Sequence, residues 1–183
     1  MRLFAGVEID DVARAACSEV IEELVRSGFA AKFEQPEKLH VTLAFLGNVD
    51  VELHAKSIEV LAQTAAATAP FDVRFDKVGA FPHERKPRIV YVGAREQGRE
   101  FRMLCARLRG AYAELGFTFK DDAVAHVTVA RVKDPRGPLP LVEVGPVTLR
   151  VNALTLFESL HDKEKNTSRY VVSATSELSG ANV

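Results

Sequence analysis

The sequence predicts an α+β domain in which helices pack on a mostly antiparallel sheet. Three observations predict it. Short apolar runs of strand character recur from one end of the chain to the other. Three intervening segments repeat apolar residues at helical spacing. No linker of the length or composition that separates independent domains interrupts residues 1–183, so one folded unit is expected.

Residues Leu3 to Ile9 read as a first strand, and Asp10 or Asp11 can cap the helix that follows. In that helix Val12, Ala16, Val20 and Leu24 recur on one face, and Gly28 marks the stop. Leu39 to Leu46 is a strongly apolar strand ending at Gly47, and Asp50 caps a second helix expected to reach about Ala69, before Pro70. Phe71 to Val78 and Arg88 to Val92 alternate like strands around the loop FPHERKPR. Phe101, Leu104, Cys105, Leu108, Tyr112 and Leu115 form a helical stripe ended by Gly116. Val124 to Val132 is another apolar strand, followed by the loop PRGPLP. Val147 to Val151, Ala153 to Leu160 and Tyr170 to Ala174 complete the strands, and the final SGANV is expected to be loose. The order is β-α-β-α-β-β-α-β-β-β-β.

Composition narrows the function classes. Lys plus Arg is 24 and Asp plus Glu is 25, a net charge of -1, which argues against coating nucleic acid by bulk charge. The apolar stretches are a handful of residues, against the roughly 18–20 a membrane span needs, and the N-terminus lacks a secretory pattern. The expectation is a cytoplasmic monomer with no membrane partner. Cys17 and Cys105 are too few for a disulfide framework and fall on apolar helix faces, as core residues do.

The internal repeat is chemical. L-H-V-T-L-A-F occupies 39–45 and A-H-V-T-V-A-R occupies 125–131. Side chains on a strand alternate faces, so His40 shares a face with Thr42, and His126 with Thr128. Chance would produce two such His-x-Thr pairs roughly 2 % of the time. The pairing suits phosphoester cleavage. An imidazole with an unperturbed pKa near 6.5 can take or give a proton at neutral pH, and hydroxyls can donate to non-bridging phosphate oxygens. Two histidines could also ligate zinc, but a third strong ligand is needed, and the chain has no H-x-H, H-x-x-x-H or C-x-x-C. No metal and no cofactor are expected.

With R-L-F-A-G-V-E-I, E-K-L-H-V-T-L-A-F-L-G, F-P-H-E-R-K-P-R-I-V-Y-V-G, L-G-F-T-F, A-H-V-T-V-A-R, L-T-L-F-E-S-L and R-Y-V-V, nearly the whole chain resembles the two-histidine phosphoesterases, specifically the RNA 2′,3′-cyclic phosphodiesterases formerly called 2′-5′ RNA ligases. The resemblance implies two pseudo-symmetric lobes of mostly antiparallel sheet, helices on the outer faces and a central cleft. It implies His40 as proton donor and His126 as proton acceptor, Thr42 and Thr128 as phosphate ligands, and a 2′-phosphomonoester product. The partners it implies are RNA ends or nucleotides carrying a 2′,3′-cyclic phosphate. Ala125 departs from the family's usual proline, and Phe33 lies where tryptophan is frequent. Two other readings stand beside this one: reversible 2′-5′ linkage formation at the same site, and a nucleotide-binding module without turnover.

Phe45 and Arg131 stand five residues after their histidines and are where the repeated units differ most. They are candidates for a clamp on a nucleobase, ring against guanidinium. Such a clamp needs both at the same end of the cleft, and strands that end, twist or bulge near Ala44 and Ala130 to return them to the histidine face; otherwise Phe45 is core and Arg131 pairs with an acid. His83, Arg85, Lys86 and Arg88 form a basic loop that can reach RNA phosphates or simply be solvated. His54 is expected at the surface of a helix, and His161 in the polar turn H-D-K-E-K-N.

Overall fold

Asp10 and Asp50 each terminate a strand-to-helix turn by accepting a helix N–H, from Ala13 at 2.8 Å and from Leu53 at 2.8 Å, and these caps set the start of two of the three helices. The computed structural model describes residues 1–162 and 167–181. The strands are β1 (Arg2–Glu8), β2 (Lys32–Phe33), β3 (His40–Asn48), β4 (Phe71–Phe75), β5 (Lys77–Phe81), β6 (Ile89–Gly93), β7 (His126–Arg131), β8 (Val147–Val151), β9 (Ala153–Asp162) and β10 (Thr167–Glu177). The helices are α1 (Asp11–Arg26), α2 (Val51–Ala66) and α3 (Arg99–Glu114), with one 3-10 turn at Pro36–Lys38.

An 8-stranded sheet runs β10-β9-β1-β3-β7-β6-β5, with β2 added beside β7, and β4 pairs with β8 in a separate 2-stranded sheet. Every strand pairing among the described residues is antiparallel. The two halves of the large sheet meet at β3 and β7, joined through Val41 opposite Val127. The helices cover the face opposite the repeated histidines. α1 packs on β7 and β8, α3 on β3, and α2 on β9, β10 and α3. Val41, Leu43, Val127 and Val129 point into that shared core with Cys17, Leu24, Leu61, Leu104 and Leu108. Burial pushes both thiols, Cys17 and Cys105, up to about 12.

Each motif strand carries a bulge at the same place. Thr42 faces Gly6 and Ala44 faces Ala5, which leaves Leu43 extra; Thr128 faces Tyr91 and Ala130 faces Val90, which leaves Val129 extra. The bulge residue and the alanine after it are both buried in each strand, because alanine is small enough to sit beside the bulge in the core. The alternation therefore restarts, and Phe45 and Arg131 emerge exposed.

Several elements differ from the sequence reading. The expected strand Phe71–Val78 is two strands in different sheets. The in–out alternation ends at Phe75, and Asp76 turns the chain by accepting from the Arg95 backbone N–H at 3.0 Å. The two-residue β2 carries no periodic signal. His161 lies on β9 opposite Ser168 rather than in a turn, and residues 163–166 of the expected polar turn lie outside the described residues. The tail is tied rather than loose. Ser179 and Gly180 N–H groups donate to the carbonyls of Ala65 and Thr68, at 3.2 and 3.0 Å, and so satisfy carbonyls at the end of α2; residues 182–183 lie outside the described residues. His54 is half-buried at the seam between α2 and β10, with Nε2 2.6 Å from Ser173 Oγ.

Gly6 gives β1 its close approach to β3. A Cβ there would lie 2.5 Å from the Val41 carbonyl oxygen and 3.4 Å from the Phe157 ring. Gly6→Ala is therefore expected to lower unfolding stability by about 1–3 kcal/mol, seen as a reduced urea midpoint at unchanged m-value; a neutral substitution would contradict this packing.

Candidate active site

Both repeated histidines are fixed the same way by their own strand. His40 Nδ1 lies 2.6 Å from the carbonyl of Lys38, and His126 Nδ1 lies 2.8 Å from the carbonyl of Val124. In each case the carbonyl can only accept, so Nδ1 carries the proton and donates it. Nε2 is then the basic nitrogen of the neutral ring. The 3-10 turn at Pro36–Lys38 presents the Lys38 carbonyl, and Arg14 ties that turn to the start of α1 by donating to the carbonyls of Pro36 and Ile9. His40 Nε2 is 3.0 Å from Thr42 Oγ1, which places the hydroxyl as its donor in the free protein. The Ala125 position has its own compensation. Alanine has an N–H where proline has none, and Gln97 Oε1 accepts it at 2.6 Å.

The walls are aromatic, and they follow the same pseudo-symmetry. Phe4 stacks on Phe157 at 4.9 Å beside His40, and Phe81 stacks on Tyr91 at 4.6 Å beside His126. Ring centroids lie 4.8 Å from His40 at Phe4 and 5.2 Å at Tyr170, and 5.2 Å from His126 at Phe81. Sequence reasoning missed these five rings as site residues. Their signal was present: Phe4 and Tyr91 lie on the strands flanking the two motifs, and Tyr91 pairs directly with Thr128.

Burial among these rings disfavours the charged imidazoles, so both histidines are held below the ordinary 6.5, with the carbonyl bonds pulling the other way. The surrounding charges are unequal: Arg131 disfavours the charged form of both rings, and His126 that of His40. The Glu34 carboxylate favours the protonated form of His40, and among the described residues no carboxylate acts this way on His126.

Arg131 Nε donates to Glu34 Oε1 at 2.8 Å, and Arg2 lies over the Phe45 ring at 5.1 Å. The bulges do return Phe45 and Arg131 to the histidine face, but the expectation that they flank the same end is corrected by the register. β3 and β7 leave the Val41–Val127 contact in opposite directions, so Phe45 lies at one end of the central pair and Arg131 at the other, beside Lys32 and Ile89. The loop residue His83 is exposed and accepts from the Lys86 backbone N–H at 3.2 Å. Among the described residues no three His, Cys, Asp or Glu side chains gather as metal ligands, and no helix is long and apolar enough to cross a membrane.

One His-x-Thr unit from each half of a joined antiparallel sheet is the arrangement that the resemblance to the two-histidine phosphoesterases implies. The chain belongs to the 2′-5′ RNA ligase superfamily, whose family model matches residues 12–163. It is 40 % identical over 134 residues, 73 % of each chain, to an RNA 2′,3′-cyclic phosphodiesterase of Archaeoglobus fulgidus. It is 33 % identical over 168 residues to one of Methanothermobacter thermautotrophicus, covering 87 % of this chain and 90 % of the relative. Its fold matches the crystal structure of a Thermus thermophilus protein with a TM-score of 0.86 and 29 % identity over 100 % of both chains. It also matches the fold of Escherichia coli LigT complexed with 3′-AMP, with a TM-score of 0.78 and 23 % identity over 97 % of both chains.

The depressed histidines link folding to protons. Each folded pKa lies below the unfolded 6.5, so the unfolded chain binds more protons in acid. The stability from keeping the rings neutral is full above 6.5 and is lost as pH falls through the folded values. The urea midpoint of the wild type is expected to fall between pH 7.5 and pH 5, and the double variant His40→Gln/His126→Gln to show a smaller fall. An identical fall in both would assign the acid lability to other groups.

Proposed function

We propose that this protein is an RNA 2′,3′-cyclic phosphodiesterase of the cytoplasm that opens the cyclic phosphate at an RNA 3′ end to a 2′-phosphomonoester by metal-free acid–base catalysis. The observation that carries the reading is the paired locking of His40 and His126 through Nδ1, which leaves two basic Nε2 atoms on one face of a joined sheet. A binding module needs no such pair of titrating groups.

His126 Nε2 takes a proton from water as the water oxygen bonds to phosphorus. The P–O3′ bond breaks, and His40 gives its Nε2 proton to the departing O3′. Phosphorus keeps its bond to O2′, so the product is the 2′-phosphomonoester. The Glu34 carboxylate supports His40 as the acid because it favours the charged ring. An anionic phosphodiester lying against His40 pulls in the same direction and offsets the desolvation. Thr42 turns its hydroxyl from His40 Nε2 to a non-bridging oxygen, and Thr128 takes the other. Phe45 and Arg131 act from opposite ends of the cleft, with Arg131 serving the substrate's charge on the His40 side.

His40→Ala and His126→Ala are each expected to lower kcat by about two to four orders of magnitude. Thr42→Val and Thr128→Val keep the strand shape, remove a donor and are expected to cost roughly 2–4 kcal/mol in the transition state. Incubation with a mononucleotide 2′,3′-cyclic phosphate in EDTA, with the product isomer identified, tests the whole reading. The expected product is the 2′-phosphomonoester at a rate unchanged by the chelator. Loss of turnover in EDTA, or a 3′-phosphomonoester, would overturn it.

A further inference from the structure

Beside His40 lies a small pocket of about 190 Å³ that extends past the reacting phosphate. It is lined by Lys32, Glu34, Lys38, Arg131, Thr167 and Tyr170 among others, so three cationic side chains face one carboxylate. Its parts are held in place. Lys38 Nζ donates to Thr167 Oγ1 at 2.8 Å, which ties the turn before β3 to the start of β10. Arg131 is set by Glu34, whose backbone N–H donates to the Val129 carbonyl at 2.9 Å. Tyr170 forms the wall shared with the His40 ring.

We infer that this pocket is the subsite for the phosphodiester on the 5′ side of the terminal nucleotide, so that the enzyme selects an RNA chain end over a free cyclic mononucleotide. The inference rests on the proposed reaction and deepens it. His40 gives its proton to O3′, so the ribose lies on the His40 side of the reacting phosphorus, and its 5′ substituent continues outward on that side. The cationic pocket there begins at Lys38, whose own carbonyl orients His40. Its lining sets three cations against one carboxylate, so the contact reads charge and not sequence. Substrate held there is registered on the same residue that sets the acid.

The test compares three substrates: a uridine 2′,3′-cyclic phosphate, the dinucleotide UpU ending in a 2′,3′-cyclic phosphate, and the same dinucleotide with an uncharged methylphosphonate linkage. For the wild type, kcat/KM is expected to be about tenfold higher for the charged dinucleotide than for the methylphosphonate, through KM. The advantage is expected to shrink with added salt. Lys38→Met keeps the carbonyl that His40 needs and is expected to remove most of that advantage. Equal kcat/KM for the charged and uncharged dinucleotides in the wild type would overturn the inference without any variant. So would a Lys38→Met enzyme that kept the full preference. Absence of turnover on all three substrates is a different result, since it would strike the proposed function itself.

Discussion

The site depends on one backbone contact, the antiparallel pairing of β3 with β7 at Val41 and Val127. Each half of the sheet carries one histidine and one threonine, and neither half alone brings two imidazoles to one surface. The pairing at their centre makes one surface of the two. Because the strands run antiparallel, a local twofold axis across the sheet relates the two units. Helices then lock the joint from behind. α1 leaves the first half and packs on β7, while α3 leaves the second and packs on β3, so each half is braced by a helix that follows a strand of the other.

The same packing that fixes the histidines also makes them poor cations. The stacked pairs Phe4–Phe157 and Phe81–Tyr91 exclude water from the rings and lower their proton affinity. A proton donor that resists protonation is of little use until a substrate brings charge to it. In the proposed reaction the phosphate anion supplies that charge, and Glu34 biases which ring holds the proton. The near symmetry of the scaffold and the asymmetry of the charges around it therefore have separate roles. The first places two equal imidazoles, and the second makes them unequal.

Much of this was legible in the sequence because it is local. The His-x-Thr spacing sets the shared face of His40 and Thr42, and aspartates before apolar periodic runs set the helix starts at Asp10 and Asp50. Features that depend on partners distant in the chain were not legible. The break at Asp76 is decided by Arg95, and the tying of Ser179 and Gly180 by the end of α2. That the strands must end, twist or bulge near Ala44 and Ala130 could be stated from Phe45 and Arg131, but that both bulge, and where the two side chains then lie, follows from the pairing of distant strands. The aromatic walls are the same case: Phe4 and Phe157 become neighbours only through the β1–β9 pairing.

In the proposed reaction one half-buried imidazole acts as base and the other as acid. The most direct measurement is the pH dependence of kcat/KM on a cyclic mononucleotide for the wild type and for His40→Ala and His126→Ala. The wild type is expected to give a bell, because one ring must be neutral and the other charged. His126→Ala is expected to lose the acidic limb, where the base protonates, and His40→Ala the alkaline limb, where the acid deprotonates. Residual activity that kept both limbs in either variant would contradict the two-histidine mechanism.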